Sequence, residues 1–184
     1  MTSSLNGINV PAFQEFADTI RKEPSNAEAK FEVNTRWDGQ TRSVASVKSY
    51  DLRGQSHARD FTIVADEPTE LLGTNTAPNP QELLMAALNA CMTVGYVANA
   101  AAMGITVRSL EIDTIGSLDL RGFLGLDENV NPGYDEVQYT VRIDADGTPE
   151  QMEQIHQAVM RTSPNFANFA RAIRMVPKLV VGGK

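Results

Sequence analysis

The side chain best suited to chemistry in this sequence is Cys91, its only cysteine. A thiolate is both a nucleophile and a two-electron reductant, and how much of it exists near neutral pH depends on its surroundings. Cys91 lies in the stretch "NPQELLMAALNACMTVGYVANAAAMG", residues 79–104, about three turns into an apolar helix. A helix dipole acts within the first turn, so it gives Cys91 little help. A reactive Cys91 therefore needs a cation delivered from elsewhere, and Arg36, Arg42, Arg53 and Arg59 all precede the helix. A free cysteine in a helix interior is otherwise a small buried hydrophobe, and residue chemistry alone leaves both readings open. The two histidines, His57 in the polar turn-like "GQSHARD" and His156 in "EQIHQAV", are expected at the surface or in packing rather than as bases. One cysteine cannot form an intrachain disulfide, and no cysteine–histidine spacing suits zinc, so neither metal nor cofactor is expected.

The elements that position Cys91 are legible. Asn79 is an N-cap, Pro80 suits the first helical position, Glu82 completes a capping box, and Gly104 supplies the left-handed residue after the helix. Within it, Ala87, Cys91 and Gly95 form one row of small residues, and Val94, Ala98 and Ala102 form another. Such a stripe lets another backbone approach closely. A helix of about 24 residues is roughly 36 Å long, which a domain this size barely covers. A second copy of the helix is the expected partner, in a two-fold homodimer. Packing against the chain's own sheet alone is the alternative.

Before this helix, residues 10–22 place Val10, Phe13, Phe16, Ala17 and Ile20 on one helical face, and "EPSNAE" follows as a turn. "KFEVNTRW", "TRSVASVKSY" and "RDFTIVAD" read as three strands of an antiparallel meander, with a hairpin turn at Asp38-Gly39. After it, "SLEIDTIGSLDL" and "DEVQYTVRID" alternate as strands. Thr148 and Gln151 open a helix reaching about Thr162, Ser163-Pro164 caps another, and "PKLVV" is expected to close as a strand. The pattern is α+β, with an N-terminal helical extension over residues 1–28 and the main domain over 29–184.

With 184 residues, 42% hydrophobic and 21% charged, the chain is long enough to bury a core. A net charge of -7 and the absence of a basic stripe argue against nucleic acid. The start "MTSSLNGINV" lacks a basic region followed by an apolar core, so the cytoplasm is the expected compartment. Residues 83–107 carry no charge. Asn89, Asn99 and the many alanines nevertheless favour a core helix over a membrane span.

The segment "DEPTELLGTNTAPNPQELLMAALNACMTVGYVANAAAMGI" resembles the OsmC/Ohr superfamily, and the resemblance runs from about Phe31 to Val181. "LDLRGFLGLDENVNPGY" is similar to an OsmC-like branch that also has an N-terminal helical extension. The resemblance implies an OsmC-like α+β fold, an antiparallel sheet wrapped around the long helix in an intimate homodimer. It also implies thiol-dependent reduction of organic hydroperoxides. In such peroxidases a cysteine at the position of Cys91 attacks the peroxide, a second cysteine resolves the sulfenic acid, and an arginine and a glutamate hold the thiolate. Here Ser163-Pro164 stands at the resolving Cys-Pro pair. Gln81 stands at the glutamate, and Glu82 is turned about 100° away. Arg42 is the candidate thiolate-pairing arginine. The resemblance thus implies a hydroperoxide substrate and an external thiol reductant. The alternative is a non-catalytic relative that binds a small apolar or acyl ligand at the dimer interface.

Overall fold

The computed structural model describes residues 4–182. It begins with a tight hairpin, β1 (Ser4–Leu5) and β2 (Ile8–Asn9), closed by Asn6-Gly7 at φ 53° and 78°. Those positive angles belong to a type I′ turn, which favours Asn-Gly. Asn6 does more than turn the chain. Its amide nitrogen donates to the Ile105 carbonyl at 2.9 Å, and its oxygen accepts from the Val107 amide at 2.9 Å. Helix α1 (Val10–Lys22) follows, with the Asn9 side chain capping Ala12 N. None of its residues is buried, although its apolar residues do share a face.

The expected first strand is in fact two, β3 (Ala29–Phe31) and β4 (Asn34–Trp37), separated at Glu32-Val33. Both pair with the same side of β5 (Ser43–Leu52), whose other side pairs with β6 (Gln55–Ala65). Asp38-Gly39 turns β4 into β5, as expected, with Asp38 N donating to the Arg42 carbonyl at 2.9 Å. Arg53-Gly54, at φ 53° and 71°, turns β5 into β6. His57 therefore lies within β6 rather than in a turn, opposite Tyr50, with ring centroids 4.9 Å apart. Strand alternation puts Trp37, Phe61, Ile63, Tyr50 and Phe31 on one face of this sheet. Trp37 is 75% exposed there, and Phe31, Phe61 and Ile63 are exposed with it.

The second unit is built on helix α2 (Pro80–Ala102). Its capping box has formed: Glu82 N donates to Asn79 Oδ1 at 2.9 Å, and Asn79 N donates to Glu82 Oε2 at 2.8 Å. Gly104 follows at φ 74°. Strands β7 (Val107–Gly116) and β8 (Val137–Ala145) pair antiparallel, and α4 (Pro149–Thr162) and α5 (Pro164–Ala170) pack on α2. The alternation expected through Leu120 stops at Gly116, because Asp119 caps a short helix, α3 (Leu120–Phe123), through Arg121 N. Leu88, Met92, Tyr96 and Ala100, four residues apart along α2, are buried against Ile105, Ile155 and Val159. The inner faces of β7 and β8, including Leu110, Ile112, Tyr139 and Val141, complete the core. Burying each large aliphatic side chain here contributes roughly 1.5–3 kcal/mol.

Asn89 explains itself as a clamp. It donates to the Ile112 carbonyl at 3.1 Å and accepts from the Thr114 hydroxyl, fixing α2 on β7. By length and composition α2 is apolar enough to cross a bilayer, yet in this fold it carries the core. The row Ala87, Cys91, Gly95 does not await a second helix. A Cβ on Gly95 would stand 3.1 Å from Val159 Cγ2, so this row is occupied by α4 and α5 of the same chain. The open row is the other one, where Val94 is 67% exposed.

None of β3, β4, β5 or β6 packs substantially against α2, β7, β8, α4 or α5. The sheet is tied instead to the loop before α2, where Gln40 Nε2 donates to the Leu72 carbonyl at 2.6 Å. The expected closing strand does not form. Residues 171–182 belong to no strand and pair with no other described segment, and Met175, Leu179 and Val181 are at least 80% exposed.

Candidate functional site

Cys91 is half-buried in α2 and meets Ser163, its Sγ 3.3 Å from Ser163 Oγ. Three local features put the serine there. Its amide closes α4 on the Val159 carbonyl at 2.8 Å, its hydroxyl caps α5 by accepting from Phe166 N at 3.3 Å, and Pro164 starts that helix. One turn before Cys91, Asn165 Nδ2 donates to the Ala87 carbonyl at 2.8 Å, which locks the start of α5 onto α2. Ser163 is only 5% exposed. Two residues 72 apart in sequence thus share one small polar site in an apolar seam.

Arg42 is not brought to Cys91 within the chain. Its Nε pairs with Asp38 Oδ2 at 3.1 Å and its Nη1 donates to Thr76 Oγ1 at 2.9 Å. The other candidate cations are engaged too. Arg36 pairs with Asp38 at 2.8 Å, Arg53 lies over the Phe16 ring, and Arg59 lies over Phe61 and Tyr50. Hydrogen bonds from Arg42 first, then Arg36, hold the Asp38 carboxyl below its ordinary value. Glu82 is spent on the capping box, and Gln81 borders two clefts at the start of α2. His156 is a packing residue: Tyr96 OH bonds its Nδ1, and the rings stack at 6.1 Å. Burial pushes the Tyr96 phenol well above its usual range.

Asp66, which in Asp66-Glu67-Pro68 reads from sequence as part of a loop capping a strand and only a weak chemical signal, is a buried anchor. It is 1% exposed and accepts from Thr41 Oγ1 at 2.9 Å, Glu67 N at 2.9 Å, Thr74 N at 3.2 Å and Thr76 N at 3.1 Å, and also from the hydroxyls of Thr74 and Thr76. The Thr74 hydroxyl above all holds its carboxyl far below the ordinary carboxylate range. Asp66 thus gathers the loop that leads into α2 and carries Thr76, the partner of Arg42. Thr74 and Thr76, two residues apart just before the Asn-Pro helix start, were the available signal. Gly73 is required in this loop, since a Cβ there would stand 1.7 Å from the Glu67 carbonyl oxygen.

At the start of α2, reaching Ala87 one turn before Cys91, a groove of about 560 Å³ is lined by Leu84, Ala87, Tyr134, Asn165, Phe169 and Ile173. Among the described residues no cluster of three or more His, Cys, Asp or Glu side chains is placed to hold a metal.

A protein-family model described as OsmC-like protein matches residues 73–177, which include α2, Cys91 and Ser163. The chain belongs to the OsmC-like family. Its fold is shared by an OsmC-like protein from Mycoplasma pneumoniae at TM-score 0.62 and 17% identity, covering 78% of this chain and 89% of that one. A putative osmotic stress induced and detoxification response protein from Psychrobacter arcticus gives 0.56 and 16%, covering 73% and 85%. An OsmC-like protein from Vibrio cholerae gives 0.55 and 15%, covering 75% and 92%. No curated protein matches the sequence.

Proposed function

We propose that this OsmC-like protein is a stress-protective, one-cysteine thiol peroxidase of the cytoplasm, acting on organic hydroperoxides as a homodimer. The observation that carries the reading is the Cys91–Ser163 contact at 3.3 Å. The Cys91 thiolate attacks the distal oxygen of the hydroperoxide, the O–O bond breaks, and the alkoxide leaves as the alcohol after taking a proton. Cys91 becomes a sulfenic acid beside the Ser163 hydroxyl. A hydroxyl can hydrogen-bond the sulfenic acid but cannot form a disulfide, so an external thiol must attack the sulfur and displace water. A second equivalent of that thiol releases the mixed disulfide as the free thiol's own disulfide and restores Cys91. Excess peroxide drives Cys91 to the sulfinic acid instead.

The dimer supplies what one chain leaves open. The apolar sheet face bearing Trp37, Phe61 and Ile63 and the open row of α2 at Val94 are both uncovered, and each suits the other across a two-fold axis. In this reading Arg42 of the partner subunit is the cation that serves the thiol, because within the chain Arg42 is engaged by Asp38 and Thr76.

Intact-mass analysis after one equivalent of an organic hydroperoxide tests the function. One added oxygen on wild type, absent in Cys91→Ser, is expected. An unmodified Cys91 overturns the peroxidase and favours the second reading. That reading is a non-catalytic binder of a small apolar or acyl ligand, supported by the groove at Leu84, Phe169 and Ile173.

A further inference from the structure

The turn into β8 and helix α5 border a second cavity, of about 350 Å³. Four rings line it, those of Tyr134, Tyr139, Phe166 and Phe169. Local structure puts each of them there. Strand alternation turns Tyr139 inward, onto the core. Phe166 and Phe169, three residues apart on α5, share a face of that helix. The rings of Phe166 and Tyr139 meet edge to face, with centroids 6.2 Å apart. Tyr134 lies against Gly116, where a Cβ would stand 2.9 Å from its ring, so the glycine leaves room for it. Tyr134 and Phe169 also border the groove at the start of α2, but Cys91, Ser163 and Arg42 do not line this cavity.

The charged residues in its lining are both acidic, Asp135 and Glu136, and no Lys or Arg joins them. Both are exposed, and each accepts one amide N–H. Asn131 Nδ2 donates to Asp135 Oδ1 at 2.8 Å, and Gln138 Nε2 donates to Glu136 Oε1 at 2.6 Å. The second oxygen of each carboxylate accepts no hydrogen bond from the described residues, and neither group is in an ion pair with them. Aromatic faces attract cations through the ring quadrupole, so the rings and the carboxylates favour the same sign of ligand charge. The chain's net charge of -7 acts in the same direction. We infer that this cavity binds a small organic ammonium ion, a primary amine carried on an aromatic or branched apolar body. The ammonium N–H groups go to the open oxygens of Asp135 and Glu136, and the apolar body lies among the four rings. An exposed carboxylate alone holds an amine weakly; the simultaneous burial of an apolar body is what makes this place a site. Its volume falls within the range of small-molecule pockets. The same two carboxylates repel an acyl carboxylate, and the inference stands apart from the chemistry of Cys91.

Calorimetric titration at pH 7 and low salt tests it with two probes. Phenethylamine is a cation at that pH, and 2-phenylethanol is its neutral counterpart of nearly the same shape. Both are titrated into wild type and into a variant carrying Asp135→Asn and Glu136→Gln together. These positions are exposed and lie outside the core, and the amides keep the shape of the acids, so the fold is left intact. Phenethylamine is expected to bind wild type at least tenfold more tightly than 2-phenylethanol. The double variant is expected to lose at least fivefold in affinity for the amine and nothing for the alcohol. Equal binding of amine and alcohol by wild type overturns the ammonium reading. Amine binding that survives undiminished in the double variant places the cation elsewhere and overturns this site. No binding of either probe at millimolar concentration overturns the inference altogether. All of these outcomes are read without hydroperoxide, so a failure here is distinct from a failure of the peroxidase.

Discussion

Ser163→Cys should convert the site into a two-cysteine centre. The present Sγ···Oγ separation is 3.3 Å, and a disulfide needs about 2.0 Å, so the sulfurs must close by roughly 1.3 Å. Rotation of two side chains on helices already locked by Asn165 supplies that movement. The bridge would close a loop of about 72 residues. Loop-closure entropy then sets a ceiling near 4.4 kcal/mol for stabilisation of the oxidised form, from about 2.1 + 1.5R ln 72 cal/mol/K at 298 K. Loss of the serine cap on α5 offsets roughly 0.5–2 kcal/mol of this, leaving about 2–4 kcal/mol. For a chain of this size that raises the melting temperature by about 5–15 °C. The assay compares urea unfolding of the oxidised and reduced variant, with intact mass to show the loss of two hydrogens on oxidation. The oxidised variant should also turn over hydroperoxide with a dithiol reductant that serves wild type poorly. Two thiols that remain titratable after mild oxidation, with unchanged stability, would refute the pairing of these positions.

Gly95→Leu should destabilise the fold of each subunit by roughly 1–3 kcal/mol or more, because the new side chain meets Val159 Cγ2 and wedges α2 from α4; denaturant unfolding measures it, and an unchanged midpoint contradicts the packing. Arg42→Met should slow alkylation of Cys91 near neutral pH if the partner's Arg42 serves the thiol, and an unchanged rate removes Arg42 from the site. Asp66→Asn should lower stability at pH 7 and flatten its acid dependence. Because the folded carboxyl titrates below its unfolded value of about 3.9, its stabilisation is present above that value and is lost as pH falls through the folded one. Equal acid slopes for variant and wild type in thermal melts from pH 7 to pH 2 would remove Asp66 as the loop's anchor.

What the sequence by itself determined is local. Caps at Asn79 and Thr148, the proline and glycine at the ends of α2, and the alternation of Val137, Tyr139, Val141 and Ile143 act over a few residues, so they are legible one segment at a time. They place Cys91 in the middle of a buried helix, and family resemblance then pairs it with Ser163. Even locally, the Asn6-Gly7 turn was available and overlooked. The tertiary structure decided which face of each element finds a neighbour. Only three-dimensional packing gives the Gly95 row to α4 and leaves Val94 open. It also keeps Arg42 on Asp38 and Thr76 and buries Asp66 among threonines. The closing strand shows the reason most plainly. The apolar, β-branched composition of "PKLVV" reads as a strand, but a strand exists only when its backbone groups are paired, and no composition names the edge that pairs them.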